Sequence, residues 1–201
     1  MQEVKTVLLI NAHLTYPNWS EGQLNADFQQ KAKDFFQSKN IQVLETKVED
    51  GYDIDEEVEK HSKADAVLLQ MPVNWFGAPW IYKKYVDEVF NRALATEVML
   101  SGDGRTRSDA SRQYGSGGKM HGKKFMISAT WNAPAEAFSN PNQELLKGKG
   151  LDDVFLNITT NYRFCGYDIV PSYNCFDIFK NPEIEKVIEN YPNYLEENLL
   201  N

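Results

Sequence analysis

Short apolar runs alternate along the chain with segments whose apolar positions repeat at helical spacing. Residues 7–10 are apolar throughout, which is typical of a strand buried on both faces of a parallel sheet. Residues 23–38 then place Phe28 and Ala32 on one helical face. We predict strands at residues 7–10, 41–44, 64–72, 125–131 and 167–171, and helices at residues 23–38, 80–94, 151–165 and 183–199, with Pro192 kinking or splitting the last helix.

This alternation predicts a doubly wound α/β fold, in which a parallel five-stranded sheet carries helices on both faces. We expect residues 1–201 to form one domain. Two segments interrupt the pattern. Residues 49–59 carry seven carboxylates, which indicates a solvated surface helix and loop. Residues 95–122 form a long, polar, glycine-rich insert, and such an insert is usually functional or mobile.

Composition narrows the class of protein. The 201 residues include 21 basic and 29 acidic side chains, and the net charge of −8 disfavours nucleic acid and anionic membranes as partners. No apolar run is long enough to span a membrane, and the N-terminus lacks a signal-peptide pattern. Cys165 and Cys175 fit buried, inert thiols in a reducing compartment. We therefore expect a cytoplasmic protein with no membrane insertion.

The ligand site of such a sheet lies beyond the carboxyl ends of its strands. Here those ends lead into loops at residues 11–23, 72–79 and 130–134. No glycine-rich dinucleotide turn, phosphate-binding P-loop or nucleophile elbow is present, and the three histidines are too far apart in sequence for a metal site. Instead, this edge collects loop aromatics, which predict a flat-walled pocket: Tyr16, Trp19, Trp75, Phe76, Tyr114 and Trp131.

Two of these loops suggest a ligand with a phosphate and a planar ring. Ser20 is a candidate N-cap at the start of a helix whose free N–H groups favour a phosphate, although simple capping explains Ser20 equally well. A pyrophosphate held by backbone N–H groups fits this loop better than a lone phosphate dianion. After the third strand, Gly77 and two prolines fix a turn that carries Trp75 and Phe76 and can hold a planar ring.

Several motifs occur in one order between about residue 5 and residue 195. They are Ser20-x-Gly22-Gln23-Leu24-Asn25, Trp75-x-Gly77-Ala78-Pro79-Trp80, Asp103-Gly104-Arg105-Thr106-Arg107, Tyr114-Gly115-Ser116-Gly117-Gly118 and Thr130-Trp131-Asn132-Ala133-Pro134. Together they resemble the flavin-dependent NAD(P)H:quinone reductases, and they are most like the bacterial group called modulator of drug activity B. At Val73-Asn74 the chain departs from a Gly-Trp-like pair, which removes one aromatic wall.

The resemblance implies a flavodoxin-like fold and a homodimer with its active site at the interface. It also implies two-electron reduction of quinones by NADPH through FAD, with ping-pong kinetics because donor and quinone use one site in turn. Carried over by position, the cofactor-binding residues are Ser20, Gly22, Gln23, Leu24, Asn25, Asp27, Pro72, Val73, Asn74, Trp75, Phe76, Tyr114, Thr130, Trp131, Asn132 and Ala133.

The glycine-rich insert adds four candidates. Tyr114 could hydrogen-bond the flavin or the quinone oxygen, and His121 could supply a proton, although a surface position before a strand explains His121 more simply. Arg105 and Arg107 suit the 2′-phosphate that distinguishes NADPH from NADH. A solvated loop or a dimer contact explains the two arginines equally well.

Three other functions remain open. The same fold could serve an FMN-dependent azo- or nitroreductase, a flavodoxin-like electron carrier or flavin sensor, or a flavin-free interaction module. The long insert and the loop tryptophans favour a substrate pocket over the exposed flavin edge of a carrier.

Overall fold

The computed structural model describes residues 3–201, so residues 1–2 of the predicted domain lie outside the described residues. The strands of the described chain are β1 (Thr6–Asn11), β2 (Gln42–Lys47), β3 (Ala66–Pro72), β4 (Lys124–Thr130), β5 (Asp168–Ile169) and β6 (Tyr173–Cys175). The helices are α1 (Gln23–Ser38), α2 (Ile54–Lys63), α3 (Trp80–Ala95), α4 (Leu151–Val154), α5 (Leu156–Cys165) and α6 (Ile184–Leu195).

All pairings in the sheet are parallel, and the strand order is β2-β1-β3-β4-β5, with β6 also paired to β4. The predicted doubly wound parallel sheet is confirmed. The predicted fifth strand is in fact two short strands, β5 and β6. Pro171 lies between them, and proline cannot donate a ladder hydrogen bond.

Helices cover both faces of the sheet. Leu8 and Ile10 of β1 pack on the face covered by α2, α3 and α5, whereas Val7 and Leu9 pack on the face covered by α1 and α6. Successive side chains of a strand point to opposite faces. A strand between two helical layers therefore needs apolar side chains at every position, which is the pattern that the sequence shows.

Three helical predictions need correction. The helix predicted at residues 151–165 is divided at Phe155 into α4 and α5. Pro192 lies inside α6 without splitting it, and the chain ends in a wider, π-helical turn at Glu196–Leu200. The acidic stretch does form a surface turn and α2, but Glu57 is buried and accepts hydrogen bonds from Thr46, Lys60 and Tyr85. The expectation that this stretch is solvated is therefore wrong at Glu57.

The glycine-rich insert, residues 95–122, folds against the amino edge of the sheet. Its Met99, Leu100 and Met120 are buried, and the Met120 N–H donates to the carbonyl of Cys165 at the end of α5. A Cβ on Gly118 would lie 2.3 Å from the Cys165 carbonyl carbon, so the insert approaches that helix as backbone against backbone. Among residues 3–201, no helix combines the length and apolarity needed to span a bilayer.

Candidate functional site

A cavity of about 640 Å³ opens at the carboxyl edge of the sheet. Three predicted loops and the loop after β6 converge on it. Its lining includes these predicted residues: Ser20, Pro72, Val73, Asn74, Trp75, Phe76, Thr130, Trp131, Asn132 and Ala133. Tyr16 and Trp19 complete one wall, and Ile178 and Phe179 line another part. The motifs missed Ile178 and Phe179 because β6, the strand before them, was not recognised.

The turn that follows β3 holds two aromatic residues in an unusual backbone conformation. Asn74 and Gly77 exchange both backbone N–H···O bonds, of 2.9 and 3.1 Å, around Trp75 and Phe76. The φ angles of these two residues are 51° and 64°, as in a type I′ turn, which normally takes Asn and Gly. The Trp75 side chain is 93% exposed, so packing within the chain does not offset this strain. Strained backbone of this kind clusters at ligand-binding sites.

The loop that enters α1 is closely packed around a buried histidine. His13 Nε2 lies 3.2 Å from Ser20 Oγ, and burial lowers the pKa of His13 against an opposing effect of Glu49. A Cβ on Gly22, whose φ is 84°, would lie 2.5 Å from His13 Nδ1. Gly22, not Ser20, is the N-cap of α1, and it provides no side-chain cap. The expected capping role of Ser20 is thus wrong, and the first N–H groups of α1 lack a side-chain cap.

The loop after β4 is fixed by backbone hydrogen bonds. The Val73 N–H donates to the Thr130 carbonyl, and the Trp131 N–H donates to the Cys175 carbonyl. In the described part of the chain, the N–H groups of Asn132 and Ala133 make no hydrogen bond. They are therefore available to an electron-rich ligand in the cavity that these residues line.

Trp131 belongs to both the cavity and the core. Its side chain is buried, its Nε1–H donates to Asn174 Oδ1 at 2.8 Å, and its ring lies 4.8 Å from that of Phe138 and 5.4 Å from that of Phe155. Trp131 therefore forms a rigid base of the cavity rather than a mobile wall.

The start of α1 lies behind the cavity. Gln23, Leu24, Asn25 and Asp27, together with Gly22, do not line it. Gln23 instead donates to Asp27 Oδ1 at 2.7 Å on the exposed side of the helix, and Asn25 is buried beneath Thr130. Any role of these residues in ligand binding would act through the helix backbone or through Thr130.

The structure does not bring the four candidates from the insert to the cavity of their own chain. His121 precedes β4 whereas the cavity follows it, and a seven-residue strand spans about 20 Å. The Tyr114 ring lies 5.3 Å from that of Phe164 near the end of α5. The Arg105 guanidinium lies 5.2 Å from the centre of the Tyr114 ring and pairs with Asp103, whose pKa it lowers. Arg107 lies in the same segment.

The candidate metal-ligating and thiol groups lie apart from one another in the described residues. Residues 3–201 contain no group of three or more His, Cys, Asp or Glu side chains placed to hold a metal ion. Cys165 and Cys175 are buried and unpaired, and burial raises their pKa values to about 12 and about 11. A raised pKa favours the protonated thiol, and the predicted burial of both cysteines is confirmed.

Comparison with known proteins defines the class. A family model described as a flavodoxin-like fold matches residues 5–199. The chain is 37% identical to the NADPH:quinone oxidoreductase MdaB of Haemophilus influenzae over 177 residues, which are 88% of this chain and 91% of that protein. It is 35% identical over 189 residues to an uncharacterised protein of Schizosaccharomyces pombe, covering 94% of each. The chain therefore belongs to the flavodoxin-like family, in the branch that includes the Haemophilus protein, and the predicted resemblance is confirmed.

Solved structures support the fold. A proposed quinone reductase from Klebsiella pneumoniae superposes with a TM-score of 0.77 at 21% identity, covering 96% of this chain and 84% of that one. General stress protein 14 from Treponema denticola, solved in complex with FMN, gives a TM-score of 0.67 at 19% identity and covers 96% and 98%. At these identities the two likenesses show the fold alone.

Proposed function

We propose that the protein is an NAD(P)H:quinone oxidoreductase that uses FAD and takes its electrons from NADPH. The observation that carries this proposal is the cavity at the carboxyl edge, since the loops that line it carry motifs that resemble those of quinone reductases, and the chain is 37% identical to one over 177 residues. Its volume of about 640 Å³ is within the range of small-molecule and cofactor sites.

The residues at this edge fit a flavin. A side chain at Gly22 would collide with His13, so the backbone at the start of α1 must stay bare, and its N–H groups suit a phosphate. Gln70 Oε1 is buried nearby, without a hydrogen-bond partner among residues 3–201. Asn132 and Ala133 line the same cavity, and their N–H groups, which make no hydrogen bond in the described part of the chain, would stabilise negative charge on a bound ring.

Two aromatic walls favour FAD over FMN. The Trp75–Phe76 turn lines one part of the cavity, and the rings of Tyr16 and Trp19, 5.4 Å apart, line another with Phe179. FAD contains two planar ring systems and FMN contains one, so two separate walls suit FAD. FMN remains the alternative, because it occupies the Treponema relative of this fold. Releasing the flavin from purified protein and identifying it by chromatography tests this choice.

A bound flavin would supply two-electron chemistry, accepting a hydride from NADPH and reducing a quinone in a ping-pong cycle. The chain's own residues would hold the flavin. The Val73–Thr130 hydrogen bond fixes two cavity loops relative to each other, and Trp75 and Phe76, which line the cavity, would cover part of a bound ring. Steady-state NADPH oxidation with a small quinone tests this reading, whereas bound flavin without turnover would support an electron carrier.

We further propose a cytoplasmic homodimer of single-domain chains. The free cysteines suit a reducing compartment. Within one chain, Tyr114, Arg105 and Arg107 lie near the end of α5, at the edge of the sheet opposite the cavity. In a dimer, these residues could instead reach the cavity of the second copy. Light scattering gives the oligomeric state, and a mixed dimer of Tyr114→Phe and cavity variants shows whether the tyrosine acts across the interface. The exposed His121, just before β4, is a second candidate proton donor, and a mixed dimer with His121→Gln in place of Tyr114→Phe tests it in the same way.

A further inference from the structure

Three buried polar side chains, two from the sheet and one from α1, form a hydrogen-bonded group next to the cavity. Gln70 lies in β3, between Asn11 of β1 and Ser128 of β4. Asn25 lies in the first turns of α1, and Thr130 ends β4 and lines the cavity. All three side chains are at least nine-tenths buried. They connect the three elements that carry the main walls of the cavity.

The hydrogen bonds between these side chains run in one direction. Gln70 Nε2 donates to Asn25 Oδ1 at 2.9 Å, and Asn25 Nδ2 donates to Thr130 Oγ1 at 3.3 Å. Because the Thr130 oxygen accepts from Asn25, its hydroxyl hydrogen remains to be donated elsewhere. Hydrogen bonds in series polarise one another, so the two hydrogen bonds from Gln70 and Asn25 make the Thr130 hydroxyl a stronger donor.

The opposite direction would be less favourable. Rotating both amides would leave the Gln70 NH₂ group, with two donors, buried without a partner. In the present arrangement, the one nitrogen or oxygen atom of these three side chains that makes no hydrogen bond at all within residues 3–201 is an acceptor, Gln70 Oε1. Buried carbonyl oxygens tolerate incomplete pairing better than buried N–H groups do. The cost of the unpaired atom therefore favours the arrangement that points the donor towards the cavity.

We infer that Gln70 and Asn25 are positioning residues that hold the Thr130 hydroxyl as a hydrogen-bond donor to an electron-rich group of the bound flavin. This inference rests on the proposed flavin-binding function. A donor interacts more strongly with a group that carries more negative charge. The hydrogen-bonded series Gln70–Asn25–Thr130 therefore favours the reduced form of the flavin over the oxidised form, which raises the reduction potential of the flavin.

Paired substitutions at the terminal donor give the sharpest test. Thr130→Val removes the hydroxyl with almost no change of shape, whereas Thr130→Ser keeps it. The readouts are the midpoint potential of the bound flavin and the dissociation constant of the oxidised flavin. We expect Thr130→Val to weaken the reduced form relative to the oxidised form about tenfold, which lowers a two-electron potential by about 30 mV. Thr130→Ser should stay within about threefold of the wild type, since it retains the donor.

Two further variants separate positioning from general stability. Gln70→Leu leaves Thr130 in place and should shift the potential in the same direction by a smaller factor. Thr159→Val removes another buried hydroxyl, one that donates to the Phe155 carbonyl in α5 outside the cavity, and should leave the potential unchanged. Thermal unfolding confirms that each variant is folded. If Thr130→Val does not fold, Gln70→Leu against Thr159→Val carries the comparison.

The outcomes distinguish this inference from the proposed function. The inference is overturned, and the proposed function left intact, if the wild-type protein binds flavin and reduces quinone but Thr130→Val or Gln70→Leu leaves the flavin potential unchanged. Protein that binds no flavin overturns both. A lowered potential in Thr130→Val with rescue by Thr130→Ser supports both.

Discussion

The strained turn after β3 predicts that one substitution stabilises the protein while it weakens the site. Trp75 has a φ of 51° and a side chain that is 93% exposed. The left-handed region costs an ordinary L-residue about 1–2 kcal/mol, whereas Asn tolerates it well and is favoured in type I′ turns. Trp75→Asn therefore relieves strain and loses almost no packing within the chain.

The expected gain is about 1 kcal/mol in the free energy of unfolding, which raises the melting temperature of a chain of this size by about 2–4 °C. Removing a ring that faces the ligand costs about 0.5–1.5 kcal/mol of binding, or about threefold to tenfold in the dissociation constant of the flavin. Thermal unfolding of flavin-free protein and fluorescence titration with flavin measure the two effects separately.

Trp80→Asn is the matched control. Trp80 is also exposed, but it begins α3 in helical conformation and does not line the cavity. The control should show neither the gain in stability nor the loss of flavin affinity. A Trp75→Asn variant that melts at or below the wild-type temperature and binds flavin as tightly as wild type would refute both the strain and the contact.

Two other predictions concern stability. His61 is fully buried between the hydroxyls of Tyr85 and Tyr167, and burial lowers its pKa from 6.5 to about 3. The unfolded chain therefore binds the proton more readily than the folded chain. The stability that neutral His61 contributes is present above pH 6.5 and is lost as the pH falls towards 3, by at most about 1.4 kcal/mol per pH unit. Urea unfolding between pH 7 and pH 4.5 should show a smaller pH dependence in His61→Gln than in wild type, and equal slopes would contradict the assignment. Gly22→Ala should lower the unfolding free energy by at least about 1 kcal/mol, because it combines a left-handed backbone with a collision against His13. Gly102→Ala, at a glycine that also has a positive φ but has open space around it, is the control and should lose less in the same melting experiment.

The central strands and α1 could be predicted because burial gives the sequence a simple pattern: short apolar runs for strands buried on both faces, and apolar residues at helical spacing for a helix buried on one face. β1, β3 and β4 are buried at nearly every position and each contains a run of apolar residues, and α1 has the bounds that its periodicity predicted. β5 and β6 have only two and three residues, too few for any periodicity. The cavity residues Ile178 and Phe179 were missed for that reason.

Long-range contacts explain the other differences. Glu57 belongs to a run of acidic residues, and nothing nearby in sequence indicates that Tyr85 and Thr46 enclose it. Similarly, a shared motif identified Tyr114, and the sequence offered His121 before a strand, but neither showed which edge of the sheet the residue occupies. Their position follows from the packing of the insert against the end of α5.

An anaerobic titration of the purified protein with NADPH, followed by a small quinone, tests the central claim most directly. We predict a yellow protein with stoichiometric FAD, whose visible absorbance is bleached by about one equivalent of NADPH and restored by the quinone. Colourless protein, or bound flavin that NADPH does not bleach and quinone does not restore, would contradict the assignment as an NAD(P)H:quinone oxidoreductase.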